Sequence, residues 1–453
     1  MASMNGSMHR RLVQKLQTDS SRRHIRIGLI RLLIAALTVL LAGWLGAGSA
    51  VSTELSIPTL PPPDGRLHDA RFGATATRLQ NGAVLIAGGV ALDTTASAVA
   101  ELYDPVRGGF VLTGGLLTGR AYHTATLLPD GKVLIVGGVG SDGRPVRASE
   151  LYDPVSGSFV PTGNLIAPRF DHTATALANG KVLISGGDVT TAIVTNIDSA
   201  ELYDPATGLF SATGRVKRYY DPESNVFWKQ GTMNAVRAKH SATLLRDGRV
   251  LIAGGGDASA NAQASAEIYD PTTGKFTTIA PMNSPRKEQN AILLANGDVL
   301  LIGGVDAAGQ VLATAELFDP STDRFTPTIA AFPGSGANMS TGRYESSSTL
   351  LPDGRVLIAG GSDSHNILNT AELYDPSRGS FICIGGAASG GGCNQSMLTA
   401  RNLASAAVLV NGEVLIAGGI GLNGMLSEAE VYNPSAGTFA SVADLLKARG
   451  GTQ

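Results

Sequence analysis

Two cysteines and two tryptophans stand among 453 residues, and aromatic side chains make up only 5% of the chain. Cysteine is too sparse for a disulfide-built fold, and two cysteines ten positions apart do not have the spacing of a zinc site. Charge of either sign is not in excess, with 35 basic and 37 acidic side chains. The chain therefore lacks the basic field that neutralises a phosphate backbone, and we expect no nucleic-acid partner.

Glycine, by contrast, is abundant, with 57 residues, and it marks an internal repeat. A Gly-Gly pair ends an apolar run seven times, most often 49 residues after the pair before it. The pairs begin at Gly88, Gly137, Gly186, Gly254, Gly303, Gly360 and Gly418. Self-similarity at a fixed period is the signature of repeat architectures, so seven pairs predict seven units.

Each unit carries two further signatures. An Asn-Gly or Asp-Gly dipeptide about ten residues before the pair, such as Asn81-Gly82, predicts a two-residue hairpin with positive φ at both central positions. After the pair comes a Glu, aliphatic, aromatic, Asp/Asn, Pro motif, as in Glu101 to Pro105, with a phenylalanine seven positions beyond the aromatic. These signals predict an all-β meander of four antiparallel strands per unit, which must stack against its neighbours in a closed ring.

The repeat resembles the kelch family, which combines a Gly-Gly pair, a tyrosine and an aromatic seven residues further on. Kelch repeats usually carry tryptophan at the last position, and phenylalanine replaces it throughout this chain. The resemblance covers residues 71–439. It implies a seven-bladed kelch-type β-propeller with four antiparallel strands in each blade.

One unit is longer than the others, and the sequence allows two ways of closing the ring. The step from Gly186 to Gly254 is 68 residues and contains Tyr220-Asp221-Pro222 with Phe227 seven beyond the tyrosine. We expect this half-unit to form an extra hairpin rather than an eighth blade. The ring could close through an eighth inner strand beginning at Arg449, or through residues 55–59 added to the last blade.

The N-terminus predicts export. Basic residues up to Arg31 precede an apolar run over residues 32–46, and the small residues Gly48, Ser49 and Ala50 follow it. The segment 28–50 is expected to form a signal peptide helix or an uncleaved membrane anchor, preceded by a basic region, 1–27. A Pro-rich linker, 51–70, the propeller, 71–440, and a C-terminal tail, 441–453, complete the predicted organisation. The propeller is then expected outside the cytoplasm, secreted, periplasmic or anchored, with membrane contact only through the N-terminal segment.

Strand parity places every long connection on one face of the ring. The loops between first and second strands and between third and fourth strands are tight, whereas residues 188–198, 219–231, 327–341 and 384–400 lie in the other two kinds of loop. Function carried by loops is therefore expected on the second face. If the protein is exported, Cys383 and Cys393 are expected to form a disulfide within the last of these segments.

An arginine enters the first strand of every unit and is the main candidate for ligand binding. These residues are Arg71, Arg120, Arg169, Arg237, Arg286, Arg343 and Arg401. Two interpretations are open: each arginine caps loop carbonyls of the neighbouring unit, or the seven form a basic funnel for carboxylates or acidic peptides, as arginines of similar kelch adaptors do. The repeated glutamates, such as Glu101, are predicted at the far end of the third strand, about 20 Å away by strand rise, and are not expected to be the partners.

A copper site is the alternative. Three units contain Arg-x-x-His, ending in His123, His172 and His240, but other units hold Ala74, Gln289, Ser346 or Ala404 at that position, so histidine there is interpreted as a tolerated repeat residue. The segment around Tyr122 and His123 resembles the Tyr-His segment of galactose oxidase and other copper radical oxidases, whose tyrosine and histidine bind copper. We therefore predict a binding or scaffold protein for a protein, peptide or glycan, without a cofactor, and keep a galactose-oxidase-like copper oxidase as the alternative.

Overall fold

The seven predicted units form seven antiparallel sheets arranged around one axis. The computed structural model describes residues 64–190, 196–221, 226–328, 336–386, 393–394 and 396–450. The chain divides into two compact units, Met1–Leu60 and Pro61–Gln453, and the described residues belong to the second. The predicted N-terminal helix and residues 55–59 lie outside them. In the described part of the chain, no helix has the length and apolar character needed to span a bilayer.

Short strands build the first three blades. Blade 1 contains β1 (Arg71–Phe72), β2 (Thr75–Arg78), β3 (Val84–Ala87), β4 (Val90–Ala91), β5 (Ala100–Asp104) and β6 (Gly109–Leu112). Blade 2 contains β7 (Arg120–Ala121), β8 (Thr124–Leu127), β9 (Val133–Val136), β10 (Val139–Gly140), β11 (Glu150–Asp153) and β12 (Ser158–Pro161). Blade 3 contains β13 (Thr173–Ala176), β14 (Val182–Ser185), β15 (Ser199–Asp204), β16 (Leu209–Ala212), β17 (Arg215–Asp221) and β18 (Val226–Thr232).

The remaining four blades follow the same plan. Blade 4 contains β19 (Ser241–Leu244), β20 (Val250–Ala253), β21 (Ala266–Asp270) and β22 (Lys275–Thr278). Blade 5 contains β23 (Asn290–Leu293), β24 (Val299–Ile302), β25 (Ala315–Asp319) and β26 (Arg324–Pro327), and blade 6 contains β27 (Ser347–Leu350), β28 (Val356–Ala359), β29 (Ala371–Asp375) and β30 (Ser380–Cys383). Blade 7 contains β31 (Ser405–Val408), β32 (Val414–Ala417), β33 (Ile420–Gly421), β34 (Gly424–Met425), β35 (Ala429–Asn433) and β36 (Thr438–Ser441), and helix α1 (Val442–Gly450) follows.

Four strands of each blade form its main antiparallel sheet, to which blade 3 adds β17 and β18, and the short pairs β1–β4, β7–β10 and β33–β34 are separate from the main sheets. The first of the four main strands lies innermost. Strands β2, β8, β13, β19, β23, β27 and β31 each contact the first strand of the next blade, and β31 contacts β2 to complete the ring. The second strand of every blade is fully buried, as its uninterrupted apolar sequence predicts for a strand covered on both faces. The core consists of clusters shared between adjacent blades, as where Leu85 of blade 1 packs with Val133 and Ile135 of blade 2.

The hairpin between the first two strands of each blade differs from the prediction in its turn. In blade 1 the Gly82 amide donates to the Leu79 carbonyl (3.0 Å), and the loop holds three residues rather than two. Only Gly82 has positive φ (88°), whereas Asn81 accepts a hydrogen bond from the Ala83 amide through its side chain (3.1 Å). This is a type I turn followed by a left-handed glycine, in which asparagine contributes a side-chain acceptor and not a positive φ.

The aromatic residues seven positions apart face each other across the third and fourth strands. Tyr152 is paired with Phe159, and their ring centroids lie 4.9 Å apart. The Tyr152 hydroxyl reaches Thr113 of blade 1 at 2.9 Å. The same motif therefore fastens the outer half of a blade and its contact with the blade before it.

Helix α1 and the residues just before Arg71 close the ring. Asp64 exchanges two backbone hydrogen bonds with Phe110 of blade 1, and Arg66 bridges to Glu428 of blade 7. Helix α1 contacts β6 of blade 1 and β35 and β36 of blade 7, and Val442 is completely buried. Arg449 is thus helical, and the prediction of an eighth inner strand starting there is wrong. The end of the predicted linker packs against the propeller.

The extra half-unit forms a hairpin, as predicted. Strands β17 and β18 pair along their whole length, and β18 adds to the start of β15 through Ser199 and Ala200. No eighth blade appears among the described residues.

Candidate functional site

The seven arginines are buried in ion pairs, which contradicts their predicted role as a ligand-binding ring. Each arginine side chain is at most 1% exposed and binds the glutamate of its own unit. The pairs are Arg71–Glu101, Arg120–Glu150, Arg169–Glu201, Arg237–Glu267, Arg286–Glu316, Arg343–Glu372 and Arg401–Glu430. No ligand can reach these guanidinium groups without opening the blade.

Blade 2 shows what the pair does. Arg120 donates to Glu150 at 2.6 Å and to the carbonyls of Gly137 and Ala148 at 2.9 and 2.8 Å. Glu150 also accepts hydrogen bonds from the amides of Leu117 and Thr118, in the segment that enters the blade. The arginine therefore caps carbonyls, as the structural interpretation predicted, but they belong to its own unit. Burial lowers the pKa of Arg120, and the charge of Glu150 opposes that effect.

The predicted separation of about 20 Å between arginine and glutamate is wrong because the glutamate lies at the beginning of the third strand. In blade 2, Glu150 is the first residue of β11, and β11 runs from the loop face toward the Asp153-Pro154 turn on the opposite face. Arg120 approaches its blade at the same loop face. Both side chains consequently lie at one end of the sheet.

The Gly-Gly pairs and the histidines belong to the contacts between blades. A Cβ on Gly137 would lie 2.5 Å from the Arg169 carbonyl oxygen and 2.6 Å from His172 Cε1 of the next blade. Nε2 of His172 lies 3.0 Å from Thr124 Oγ1 of blade 2. His123 and His240 have equivalent partners, Thr75 and Thr173. Glycine is required where the neighbouring backbone and imidazole approach this closely.

Burial keeps these three imidazoles neutral. It lowers the pKa of His123 and His240 to about 3, and the pKa of His172 falls well below its usual value for the same reason. In the described part of the chain, only Glu372, Cys383 and Cys393 bring the ligand atoms of three His, Cys, Asp or Glu side chains within 4.8 Å of one another. The histidines therefore form no shared metal site, consistent with their interpretation as repeat residues.

The two cysteines are joined. Cys383, at the end of β30, forms a disulfide with Cys393. Ser340 Oγ lies 3.0 Å from Cys393 Sγ, and Ser340 binds Glu372 through its amide at 2.9 Å. The disulfide thus ties the last long loop to the end of β30, and the contact with Ser340 links it to the entry of blade 6.

A different set of side chains surrounds the central opening on the loop face. It is formed by the second residue after each arginine: Gly73, Tyr122, Asp171, Lys239, Glu288, Glu345 and Leu403. All seven have φ between 50° and 63°, the left-handed region that costs about 1 kcal/mol or more for a residue other than glycine. Backbone hydrogen bonds run from blade to blade through this set, as from the Lys239 amide to the Asp171 carbonyl at 3.0 Å. We call these seven residues the inner ring.

The inner ring borders a cavity of about 690 Å³, which we call the central pocket. Six of its members line the pocket, and the tips of neighbouring loops, including Thr94 and Ser141, form its rim. The pocket is large enough for a small molecule or an extended side chain.

The charged members of the inner ring are adjacent. Asp171, Lys239, Glu288 and Glu345 come from blades 3 to 6 in succession, and we call them the acidic arc. Lys239 forms an ion pair with Glu288. The Glu345 carboxylate accepts a hydrogen bond from Asn402 at 3.0 Å, whereas the Asp171 carboxylate has no hydrogen-bond or ion-pair partner in the described part of the chain.

Burial dominates the electrostatics of this arc. It raises the pKa of Asp171 to about 6, against the opposing charge of Lys239 and with support from Asp188 and Glu288. It raises the pKa of Glu345 to about 7, and the negative charge of Glu288 adds to the effect. Asp171 is half-buried beside the pocket. Three carboxylates therefore share one lysine in a poorly hydrated site.

The opposite side of the pocket is apolar. Leu403, Gly73 and Tyr122 complete the inner ring there, and Val90 and Val139 add aliphatic surface. Burial raises the pKa of the Tyr122 phenol to about 12, so the side chain is neutral. The pocket thus has one acidic and one apolar side.

Comparison with known proteins agrees with this architecture. The Kelch motif matches residues 237–283 and 346–385, which fall in blades 4 and 6. Together with the seven blades and their recurring Gly-Gly and Tyr-Phe pattern, these matches show a seven-bladed β-propeller that carries Kelch motifs in two of its blades. No curated protein sequence matches it significantly.

A solved structure similar to this chain is a fungal alcohol oxidase of the AA5 family in complex with copper. It is 16% identical, with a TM-score of 0.59, and the match covers 83% of this chain and 77% of the oxidase chain. At this identity the similarity establishes a common fold and says nothing of a common reaction.

The residues predicted for copper do not fit a copper site. Tyr122 lines the central pocket, whereas the adjacent His123 is buried between blades 1 and 2. Nε2 of His123 is occupied by Thr75, and Nδ1 is enclosed without a partner, near Gly88 of blade 1. The two side chains therefore have different surroundings.

Sequence reasoning missed the inner ring although the sequence contains its signal. The arginine column is invariant through all seven units, and an invariant column in a repeat fits a structural role at every blade contact. Two residues later, the column changes between glycine, aromatic, acidic, basic and aliphatic residues. The equivalent positions of all seven units meet at the axis of the propeller. If together they form one binding site, each unit can contribute a different side chain, and variation at this position is expected.

Proposed function

We propose that this kelch propeller is a ligand-binding protein whose site is the central pocket of the loop face. The observation that carries the proposal is the half-buried carboxylate of Asp171, which has no hydrogen-bond or ion-pair partner among the described residues and lines a cavity whose lining changes from blade to blade. A buried charge without a partner is unfavourable, and a ligand that supplies the partner gains that energy on binding. The ligand classes are those expected from the sequence: a protein, a peptide or a glycan.

The pocket can be tested by blocking it. Ser141 is exposed at the rim, so Ser141→Trp is expected to fill the entrance without disturbing a blade contact. Ser156, which is exposed in the Asp153-Pro154 turn on the opposite face, provides the matched control, Ser156→Trp. The full chain and both variants would be applied to arrays of synthetic peptides and glycans. Signals that Ser141→Trp abolishes and Ser156→Trp retains support the proposal, and signals that survive in both variants contradict it.

We also propose that the propeller acts outside the cytoplasm. The basic residues, apolar run and small residues at the N-terminus support an export signal or an anchor. The disulfide between Cys383 and Cys393 fits an oxidising compartment. Cell fractionation with sequencing of the mature N-terminus tests this proposal. A start after residue 50 supports cleavage and an intact chain in the membrane fraction supports anchoring, whereas an intact chain with free thiols in the cytoplasm contradicts export.

We do not propose copper oxidation, because His123 is committed to the contact between blades.

A further inference from the structure

We propose that the central pocket binds a guanidinium or ammonium group carried on an apolar stem, such as an arginine or lysine side chain of a peptide. This inference rests on the proposed function, because it assigns the ligand class of the same pocket. It reverses the charge expected from the arginine ring, which would have selected carboxylates.

The charges of the pocket favour a cation. The acidic arc holds three carboxylates and one ammonium group, and that ammonium group, on Lys239, is already paired with Glu288. Asp171 has no partner, and Glu345 has only the neutral amide of Asn402. Asp171 and Glu345 are both half-buried, and an unpaired charge on such a residue is more costly than at an exposed surface.

The size of the site favours an organic cation over a metal ion. A divalent ion needs several oxygen ligands at 2.0–2.6 Å, so its ligands must lie within a few ångströms of one another. The carboxylate oxygens of Asp171, Glu288 and Glu345 are not gathered in this way, since the described residues bring three such ligand atoms within 4.8 Å only at Glu372, Cys383 and Cys393. A planar guanidinium group with five donors can span carboxylates that a bare ion cannot.

The apolar side of the pocket fits the stem of such a ligand. Leu403 and Tyr122 face the acidic arc across the opening, with Val90 and Val139 beside them. Aliphatic stems of arginine and lysine bury well against such surfaces, and the ring of a neutral tyrosine attracts a nearby cation. A simple inorganic cation would leave this side of the pocket unused.

A pair of isosteric probes tests the charge. N-acetyl-arginine methylamide and N-acetyl-citrulline methylamide have nearly the same shape, but the urea group of citrulline carries no charge. We expect the arginine probe to bind the full chain at least about tenfold more tightly, as measured by titration calorimetry, because charge-assisted hydrogen bonds to carboxylates are roughly twice as strong as neutral ones. Equal affinities that Ser141→Trp abolishes would overturn the cation assignment and leave the proposed function standing. Absence of binding by both probes would also overturn the assignment. The peptide and glycan arrays would then still test whether the central pocket binds a ligand of another class.

Single substitutions test the location. Asp171→Asn and Glu345→Gln are each expected to weaken the arginine probe about fivefold or more and to leave the citrulline probe unchanged. Since both carboxyl groups are poorly hydrated, their neutral isosteres are expected to fold normally, which near-UV circular dichroism checks. Asp130→Asn, an exposed carboxylate on the opposite face, is the matched control. Loss of affinity equal to that in the control would contradict the assignment.

The pH profile offers a readout that a structural role would not move. Asp171 faces Lys239, Asp188 and Glu288, and Glu345 faces Glu288, Lys239 and Asp171. A cation binds their ionised forms, so affinity for the arginine probe falls as pH drops through about 7 and then about 6, while affinity for the citrulline probe stays level. A flat profile for the arginine probe would overturn the inference.

Discussion

Removing one buried glutamate is expected to destabilise the whole propeller while leaving its pocket intact. In Glu150→Gln, Arg120 keeps its position but loses the counter-charge at 2.6 Å, and both side chains are at most 2% exposed. Breaking a buried ion pair from one side typically costs about 3–5 kcal/mol, because the remaining charge stays desolvated. The amides of Leu117 and Thr118 also lose a charged acceptor. We therefore expect the free energy of unfolding to fall by about 3–5 kcal/mol.

Urea unfolding followed by circular dichroism measures this change, provided that the slope against denaturant is the same in both proteins. Asp130→Asn is the control, since the Asp130–Lys132 pair is exposed and is expected to contribute about 0–1 kcal/mol. The affinity of Glu150→Gln for any pocket ligand should stay unchanged. A loss of stability no larger than in the control, or a selective loss of ligand binding, would refute the structural assignment of the arginines.

Three further predictions concern other parts of the molecule. Gly137→Ala should cost about 1–3 kcal/mol more than Gly143→Ala in the same unfolding assay. Both glycines have positive φ, so the backbone strain of the two substitutions is similar. Only at Gly137 would the new Cβ meet a backbone oxygen, since nothing lies within 4 Å of a Cβ on Gly143. Equal losses of stability in the two variants would contradict the packing argument. The double variant Cys383→Ser, Cys393→Ser should lose about 2–3 kcal/mol, as expected for a loop of this length, and alkylation under denaturing conditions should find no free thiol in the unreduced wild type. The pKa values of Asp171 and Glu345, about 6 and 7, are raised above those of an unfolded chain, so the stability they contribute is complete below about pH 4 and is lost as pH rises through 6 and 7. The wild type should therefore lose stability relative to Asp171→Asn between about pH 4 and 7, and a constant difference would show that Asp171 titrates normally.

The seven blades could be predicted from the sequence because each depends on short, local sequence patterns. Tyr152 and Phe159 are seven positions apart because a turn between two short strands brings them face to face, and the distance between Gly-Gly pairs counts one blade. The half-unit around Tyr220 lacks a Gly-Gly pair, and it correctly predicted a hairpin without a blade. Each of these inferences depends only on contacts within one repeat or between neighbours.

Long-range placement was harder to predict. The partner of Arg120 depends on which end of the four-residue strand β11 carries Glu150. With Glu150 at the far end, Arg120 would have no counter-charge and would be a candidate for ligand binding. The acidic arc depends on residues from four blades meeting at one axis, which no single repeat displays. Ring closure likewise depends on helix α1 spanning the first and last blades, a contact between the ends of the chain.

A crystal structure of the full chain with N-acetyl-arginine methylamide would show directly whether the central pocket binds a cation. We expect the guanidinium group within hydrogen-bonding distance of the Asp171 and Glu345 carboxylates, with the stem against Tyr122 and Leu403. A probe bound elsewhere on the propeller, with the central pocket filled only by solvent, would contradict it.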